Sequence, residues 1–302
     1  VGEDLFAADV EDAIQKARDY GLQIALFPRI LLDDETGAWW TGASRDGVWW
    51  DAWFSQIRVF YRHFAWLAQE NGIPVLIFGD PSIAPAYPDG ILPSGISSDV
   101  FSDAEERWVS IVKEMRTLYQ GQVMFAADDV ARASFSPEFF QMFDSLYFLV
   151  DTPLTADNGA NQDLNDSVKT YLDTQIIPFS ETVQRDVILA LNYPSHPDAV
   201  KGCINTEHGC IGFDSLAASD QETRKVFGSG TSEEPMPDFT IQYKIYESFL
   251  RAVNENEQIA GLVSRGYYVP VERHDFSTSI RGKPAAALLW YWFPRFVYSE
   301  PQ

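Results

Sequence analysis

The chain has 302 residues, of which 46% are hydrophobic and 14% aromatic, so it can bury a large core and does not belong to the disordered class. Acidic residues outnumber basic ones 44 to 22, and the formal net charge of -22 argues against nucleic acid or an anionic membrane as partner, because both are polyanions. No apolar run approaches the ~20 residues that a membrane-spanning helix needs. We therefore expect no membrane insertion. The acidic balance fits a protein outside the cell or at its surface, which is the location we expect, and it fits a salty habitat equally well.

Apolar periodicity predicts that helices and strands alternate along the chain. The clearest helix is 50–69, where apolar residues recur at i, i+3, i+4 and i+7. Ser102 followed by Glu105 predicts a capping box at the start of another helix. In chain order, the predicted helices are 9–20, 50–69, 102–119, 137–143, 164–174, 239–254 and 283–291, and the predicted strands are 22–28, 73–79, 122–127, 145–150, 186–192 and 259–268.

This alternation, without repeats or a linker, predicts one α/β domain with a parallel sheet and right-handed crossovers. Six strands fit two architectures. One is a doubly wound open sheet, and the other is an α/β barrel, although a closed barrel of that type has eight strands. If the chain is a barrel, we expect its first two strands to come from a segment upstream of Val1 or from a neighbouring chain.

Several segments resemble clan A glycoside hydrolases, and most of all the family 113 β-mannanases. The segments are GLQIALFPRI, the loop WWTG with the helix that follows it, ERWVSIVKEMRTLYQGQVMFAAD, MFDSLYFLVDTPLT, VILALNYPS, QYKIYESFLRAV, GLVSRGYY and DFSTSIRGKPAAALL. The resemblance implies a (β/α)8 TIM barrel that lacks its first two strands within this chain. Residues 1–302 would then form a single glycoside-hydrolase-like domain containing barrel strands three to eight.

The same resemblance implies a catalytic acid Glu at the end of barrel strand four and a nucleophile Glu at the end of strand seven. Pro81 stands at the first position and Ala190 at the second. Retaining hydrolysis needs two carboxyl groups about 5–5.5 Å apart across the scissile bond. Because neither side chain carries a carboxyl group, the family's mechanism does not transfer to this sequence in that register.

Three aspartates directly follow apolar strands, in LIFGD, MFAAD and YFLVD: Asp80, Asp128 and Asp151. In a parallel barrel they would lie at the C-terminal mouth, where active sites occur. Asp80 and Asp151, on strands four and six, are candidate catalytic carboxylates, as in glycosidases that resemble the α-galactosidase clan, and Asp128 is a further candidate. The alternative is that these residues cap the turns that follow them.

Trp39 and Trp40 are candidate sugar contacts in a Trp-rich loop ahead of the helix 50–69. An indole combines an apolar face with a polar edge, which suits a sugar ring. The alternative is that these side chains pack with Trp49 and Trp50 against neighbouring loops.

Three further residues at predicted strand ends are candidate substrate contacts. Arg29 follows a strand and a proline, and it would either hold a sugar hydroxyl or pair with Asp80. Tyr193 and Tyr267 lie at the ends of strands seven and eight. Of the neighbours Tyr267 and Tyr268, one should point inward and the other outward.

Cys203 and Cys210 lie in the long loop predicted at 193–237. Such a close pair in an acidic, aromatic-rich chain predicts a disulfide and an oxidising compartment. Free thiols are one alternative, and a metal site that adds Glu207 and His208 is another. The sequence has no Gly-rich phosphate loop, Ser-His-Asp order or metal motif, so we expect no cofactor and no metal.

Three hypotheses about function follow. The first is a degenerate barrel outside the cell that binds an oligo- or polysaccharide, or serves as a structural module, without the family's hydrolysis. The second is an active glycosidase that uses Asp80 and Asp151, or Asp128. The third is a subunit of an extracellular assembly, whose open barrel edges pair with another chain.

Overall fold

The computed structural model describes residues 7–30, 32, 36–128, 135–154, 163–206, 209–213, 236–267 and 275–298. The chain divides into two compact units. Unit one comprises Val1–Tyr147 with Thr182–Arg185, and unit two comprises Phe148–Glu181 with Asp186–Gln302. The single barrel domain over residues 1–302 stays a prediction.

Six strands form one parallel sheet, as the alternating sequence pattern predicts. The sheet order is β1-β2-β3-β4-β5-β8, which follows the chain, and β1 and β8 are its end strands. Six strands are fewer than the eight of a closed α/β barrel, so the predicted incompleteness of the barrel is confirmed. The strands are β1 (Ala25–Leu26), β2 (Val75–Phe78), β3 (Gln122–Ala127), β4 (Ser145–Val150), β5 (Val187–Leu191) and β8 (Ile259–Ser264), and an antiparallel hairpin, β6 (Ile204–Thr206) with β7 (Gly209–Ile211), forms a second sheet.

Nine helices are found in the described part of the chain. They are α1 (Ala7–Asp19), α2 (Thr36–Gly42), α3 (Gly47–Glu70), α4 (Ala104–Leu118), α5 (Pro137–Phe140), α6 (Leu164–Tyr171), α7 (Ile177–Val183), α8 (Phe239–Asn254) and α9 (Pro284–Tyr298). A π-helical turn, Leu172–Ile176, joins α6 to α7, and 3-10 turns lie at Pro81–Ala86 and Pro197–Lys201. None of the described helices has the length and apolar character needed to cross a bilayer.

Three local predictions are corrected. Trp39 and Trp40 lie on α2 and not in a loop, and a β-hairpin occupies part of the segment predicted as the loop 193–237. The capping box of α4 is absent: Asp103 precedes the helix and makes no side-chain cap. Glu105 instead accepts a hydrogen bond from the backbone N–H of Ser136, at 3.1 Å, because this distant segment packs beside α4 and offers a donor of its own.

The core of unit one is built around the apolar face of α3. Asp46 caps this helix by accepting a hydrogen bond from the N–H of Trp49, at 2.8 Å. The ring of Tyr61 lies 4.1 Å from the ring of Phe78 in β2, and Trp108 of α4 lies 5.7 Å from Phe78. Each such buried aromatic side chain stabilises the fold by about 1.5–3 kcal/mol. The helix therefore fixes the position of β2 and of the segment that follows it.

The core of unit two is built around α8. Its buried face includes Ile245, Tyr246 and Phe249, and it packs beside β8 and against α9. Gln242 on the same helix is completely buried, and its side-chain amide donates a hydrogen bond to the carbonyl oxygen of Tyr193 at 2.9 Å. This bond satisfies a backbone group in the segment that follows β5 and holds that segment against the helix.

Candidate functional site

Asp80 follows β2 and lies in the core of unit one, with a side chain that is 1% exposed. Its Oδ1 accepts a hydrogen bond from the N–H of Ser82 at 2.9 Å, and its Oδ2 accepts one from the N–H of Ile30 at 3.2 Å. The first of these bonds caps the 3-10 turn Pro81–Ala86. The capping alternative raised for Asp80 is therefore confirmed.

Arg29 completes this arrangement. Its Nε lies 3.3 Å from Oδ2 of Asp80 and its Nη2 lies 3.4 Å from Oδ1, so the guanidinium faces both carboxylate oxygens. The Arg29 side chain is 30% exposed, whereas that of Asp80 is almost inaccessible. Of the two roles expected for Arg29, the ion pair with Asp80 is confirmed.

Two buried tyrosines hold the backbone beside Asp80, and the sequence had placed Tyr61 only in the apolar stripe of α3. The N–H of Gly79 donates to the hydroxyl oxygen of Tyr61 at 3.0 Å, and the N–H of Asp80 donates to that of Tyr87 at 3.1 Å. Burial raises the pKa of both tyrosines, and the nearby charge of Asp80 adds to the rise. Both hydroxyl groups are therefore neutral hydrogen-bond partners and do not act as bases.

Gly79 has a positive φ of +90°, and this conformation turns the chain at the end of β2. A Cβ at this position would lie 3.1 Å from the carbonyl oxygen of Ala126 in β3 and 3.2 Å from the Tyr87 hydroxyl. A side chain at this position would therefore be strained by the backbone conformation and tightly packed against these two atoms. Asp80 directly follows this turn.

Asp128 follows β3 in the same unit and is half-buried. Its charge also contributes to the raised pKa of Tyr87, after burial, Tyr61 and Asp80. The charges of Asp128 and Asp80 thus both act on the hydroxyl group of Tyr87. The catalytic roles predicted for these two aspartates stay predictions.

Trp39, Trp40, Trp49 and Trp50 belong to one cluster of aromatic rings in unit one. The ring centroids of Trp39 and Trp40 are 5.0 Å apart, those of Trp49 and Trp50 are 4.9 Å apart, and Trp40 lies 6.0 Å from Trp50. Trp40 is completely buried, and its indole N–H donates to the carbonyl oxygen of Ser82 at 2.8 Å. This burial is at odds with sugar stacking by Trp40 and favours the packing alternative. Trp39 and Trp49 are half-buried.

In unit two, Asp151 follows β4 and is half-buried. Tyr193 follows β5, is completely buried, and donates its hydroxyl hydrogen to the carbonyl oxygen of Thr152 at 2.9 Å. Burial raises the pKa of Tyr193, with Tyr171 and Asp151 contributing to the rise. A completely buried hydroxyl bonded to the backbone is at odds with the predicted substrate contact, and Tyr193 packs the segment after β5 instead.

Tyr267 has the opposite character, because it is 69% exposed beyond the end of β8. The guanidinium of Arg281 lies over its ring, 5.4 Å from the centroid. Tyr267 therefore presents a ring to solvent, although its role in binding stays a prediction. Its neighbour Tyr268 lies outside the described residues.

The two positions where the resemblance implies catalytic glutamates are both described. Pro81 is half-buried and begins the 3-10 turn after Asp80. Ala190 lies within β5 and is completely buried. Neither position is one from which the residue present could donate a proton or attack a sugar carbon.

The structure describes only some of the cysteine and candidate metal-ligand side chains. The described residues include no free cysteine, and no group of three His, Cys, Asp or Glu side chains among them could hold a metal ion. Cys203 precedes β6, but the side chain of Cys210 lies outside the described part of the structure. The disulfide between them, like the alternative that uses Glu207 and His208, stays a prediction.

Comparison with known proteins identifies the class of fold. No protein-family model matches the sequence, and no curated protein does so. A solved GH113 β-mannanase from Alicyclobacillus acidocaldarius superposes with a TM-score of 0.64 at 16% identity, over 96% of this chain and 78% of that one. A GH113 β-1,4-mannanase gives 0.61 at 13% identity, over 96% and 79%. A β-D-glucuronidase from Dictyoglomus thermophilum gives 0.51 at 11% identity, over 96% of this chain and 43% of that one.

These similarities show the fold, which is that of glycoside-hydrolase-like α/β barrels. The structural neighbours act on carbohydrates, as their names state. At 11–16% sequence identity, this structural similarity establishes the fold of the chain but not the reaction that it catalyses. The resemblance inferred from the sequence is thus confirmed for the fold, and the activity has to be argued from this chain's own residues.

Proposed function

We propose that this chain is a degenerate glycoside-hydrolase-like barrel that binds an oligo- or polysaccharide outside the cell or at its surface, without the family's hydrolysis. The observation that carries the proposal is the state of Asp80. Its carboxylate is buried, ion-paired with Arg29 and hydrogen-bonded to two backbone N–H groups. A catalytic carboxylate has to reach the substrate, whereas this one is committed to holding two chain segments together.

The residues at the implied catalytic positions support the same conclusion. Pro81 and Ala190 carry no carboxyl group, and Ala190 is completely buried. A retaining mechanism cannot operate when both the acid and the nucleophile are missing. The fold then remains as a scaffold on which binding residues can be held.

Two aromatic residues are available for sugar contact. Trp39 is half-buried at the edge of the tryptophan cluster, and its ring is supported by Trp40 at 5.0 Å and Trp49 at 5.8 Å. A rigidly supported indole loses little conformational entropy on binding and offers an apolar face to a pyranose ring. Tyr267, 69% exposed, is the second candidate.

A binding and turnover assay on the same samples tests the proposal. We expect retention in affinity electrophoresis gels that contain soluble β-mannan or another polysaccharide, with no release of reducing sugar. Trp39→Ala should weaken retention about tenfold, whereas Trp66→Ala, at a 49% exposed indole on α3, should not change it. Absence of binding to a panel of polysaccharides would refute the binding claim. Turnover of mannan that disappears in Asp80→Asn would refute the loss of catalysis.

The second candidate function is an active glycosidase, and it is favoured by Asp128 and Asp151. Both are half-buried at the ends of parallel strands, so unlike Asp80 they retain some access to solvent. If either acts as a catalytic carboxylate, chromogenic glycosides should be hydrolysed and the corresponding Asp→Asn variant should lose at least a hundredfold in kcat/KM.

The third candidate is a subunit of an extracellular assembly. Its support is the six-stranded sheet, in which β1 and β8 are the end strands among the described residues and each pairs with one neighbouring strand there. An upstream segment of the same polypeptide or a neighbouring chain would complete the barrel.

The proposed location outside the cell or at its surface is tested separately. The native host is fractionated, and the culture fluid, the cell surface and the cytoplasm are probed with an antibody against the chain.

A further inference from the structure

A cleft of about 1000 Å³ lies in unit one, and none of the candidate catalytic aspartates lines it. One wall is the side of α4 that carries Glu106, Val109 and Lys113, which share a helix face because they recur at i, i+3 and i+7. The other wall comes from the two ends of the segment 88–97. A cleft of this size lies at the upper end of the range of small-molecule sites, about 300–1,000 Å³.

The wall formed by the segment 88–97 is held in shape by its own backbone. The N–H of Gly90 donates to the carbonyl oxygen of Tyr87 at 3.0 Å, and the N–H of Ser98 donates to that of Gly90 at 2.9 Å. A Cβ on Gly90 would overlap with the carbonyl oxygen of Pro85, so only glycine fits there. The wall is therefore formed before a ligand arrives, which lowers the entropic cost of binding.

Three charged side chains that line the cleft are not used by the fold. Asp89, Glu106 and Lys113 form neither an ion pair nor a side-chain hydrogen bond with any described residue. Glu105 also lines the cleft, but it already accepts the backbone N–H of Ser136. The carboxylate and the ammonium group on α4 are two helical turns apart, about 10 Å along the axis. A ligand that meets both is therefore elongated.

Apolar surface and hydroxyl groups accompany these charges. Val109 lies between the two charged residues of α4, and Phe101 and Ser102 line the cleft ahead of the helix. The guanidinium of Arg107 lies over Phe101, 4.1 Å from the ring centroid, so one face of this ring is covered and only the rest of it is available. Such a mixture of apolar surface and hydrogen-bonding groups matches a sugar ring, which has an apolar face and polar edges.

We infer that this cleft is a second polysaccharide-binding site and that it takes neutral chains. The inference rests on the glycan-binding function proposed above and names its substrate class. Asp89 and Glu106 accept hydrogen bonds from sugar hydroxyls, and Lys113 donates one to a sugar oxygen. The two carboxylates and the formal net charge of -22 repel uronic-acid chains, whereas Lys113 repels cationic amino-sugar chains. No group of three His, Cys, Asp or Glu side chains among the described residues could hold a metal ion, so a cation is not the ligand we assign to the carboxylates.

Calorimetric titration with three hexasaccharides tests the inference, in a Trp39→Ala background that removes the sugar contact proposed on α2. The probes are neutral mannohexaose, anionic hexagalacturonate and cationic chitosan hexamer. We expect binding of the neutral probe only, weakened about tenfold by Asp89→Asn combined with Glu106→Gln, because an amide is a weaker acceptor than a carboxylate. Asp99→Asn is the matched control and should change nothing. Asp99 is exposed and has a φ of +57°, against +53° for Asp89, but it does not line the cleft.

Hydrogen–deuterium exchange of the wild type locates the bound mannohexaose. Protection within residues 88–113 is expected, and protection confined to other segments would overturn the inference. Equal affinities of the cleft variant and Asp99→Asn, or binding of a charged probe as tightly as mannohexaose, would also overturn it.

Two outcomes separate this inference from the proposed function. Mannohexaose binding that is lost in Trp39→Ala and unchanged in the cleft variant would refute the cleft and leave glycan binding in place. A wild type that binds none of the three probes would refute glycan binding, and the cleft with it.

Discussion

The guanidinium of Arg29 and the carboxylate of Asp80 form an ion pair, with Nε and Oδ2 3.3 Å apart, between segments that are 51 residues apart in the chain. The pair joins the residues after β1 to the turn after β2. Asp80 thereby serves three backbone or side-chain partners, Arg29, Ile30 and Ser82. These contacts hold the segment after β1 against the turn after β2.

Replacing this carboxylate should therefore affect stability. We expect Asp80→Asn to lower the free energy of unfolding by about 2–3 kcal/mol, because the isosteric amide loses the charge that Arg29 faces and cannot accept at both of its atoms. Chemical denaturation measures the change. The control is Asp103→Asn, since Asp103 pairs with Arg107 at the surface and is 55% exposed, so less than about 1 kcal/mol is expected. Equal effects of the two substitutions would contradict the role assigned to Asp80.

Substitutions at Trp40 and Trp39 should distinguish a side chain that packs the core from one that binds polysaccharide. Trp40→Ala should destabilise the protein by about 3–5 kcal/mol, because the side chain is completely buried and its N–H satisfies the carbonyl oxygen of Ser82. Trp39→Ala should cost clearly less and should act mainly on polysaccharide retention. Denaturant titration of both variants, beside the binding gels, distinguishes them. If Trp39→Ala destabilised the fold as much as Trp40→Ala, its assignment as a ligand contact would fail.

His196 should make stability depend on pH below neutrality. Burial lowers its pKa from the usual 6.5, with Asp198 opposing the shift and Lys201 adding to it. Its Nδ1 accepts a hydrogen bond from the N–H of Asp198 at 3.0 Å, which caps the 3-10 turn Pro197–Lys201 and requires the neutral ring. Because the unfolded chain takes up a proton more readily than the folded chain, this stability is present above about pH 6.5 and is lost as pH falls through the lowered pKa.

The substitution His196→Asn tests that dependence, since asparagine can also cap the turn but does not titrate. Denaturant unfolding between pH 7 and pH 5 should show a smaller loss of stability in the variant than in the wild type. His63→Asn, at an exposed histidine of α3, is the control and should leave the slope as it is. An unchanged slope in His196→Asn would remove His196 as its source.

The cysteine pair gives a chemical test. If Cys203 and Cys210 are bonded, titration of the denatured, unreduced protein should find no free thiol, and reduction should release two per chain. A ring this short should stabilise the fold by about 2 kcal/mol by the loop-closure estimate. The matched variant Cys203→Ser with Cys210→Ser should unfold at the same denaturant concentration as the reduced wild type. Two free thiols before reduction would refute the bond.

Elements with strong local patterns were predicted well from the sequence. The structure confirms β3 (Gln122–Ala127), β4 (Ser145–Val150) and α8 (Phe239–Asn254) at the predicted bounds. The parallel sheet and its missing strands were predicted too. Apolar periodicity and strand alternation are properties of neighbouring residues, so they can be read without knowledge of the fold.

Side-chain roles within the site were predicted less well. Trp39 and Trp40 are adjacent and identical residue types. Trp39 is half-buried, whereas Trp40 is completely buried and donates its indole N–H to the carbonyl oxygen of Ser82. Glu105 fits a capping box locally, but it bonds Ser136 across the fold. In each case a hydrogen bond to a residue far along the chain determined where the side chain lies, and the local sequence pattern did not.

The sequence by itself thus determined the succession of helices and strands, the acidic character and the resemblance to glycoside-hydrolase barrels. Only the tertiary structure decided three further features. Asp80 forms an ion pair with Arg29, Tyr193 is buried and bonded to Thr152, and Trp290 is 82% exposed on α9. The physical reason is that burial and hydrogen bonding are set by contacts between residues that are distant along the chain. Local periodicity specifies which face of an element is apolar, but not which partner will cover it.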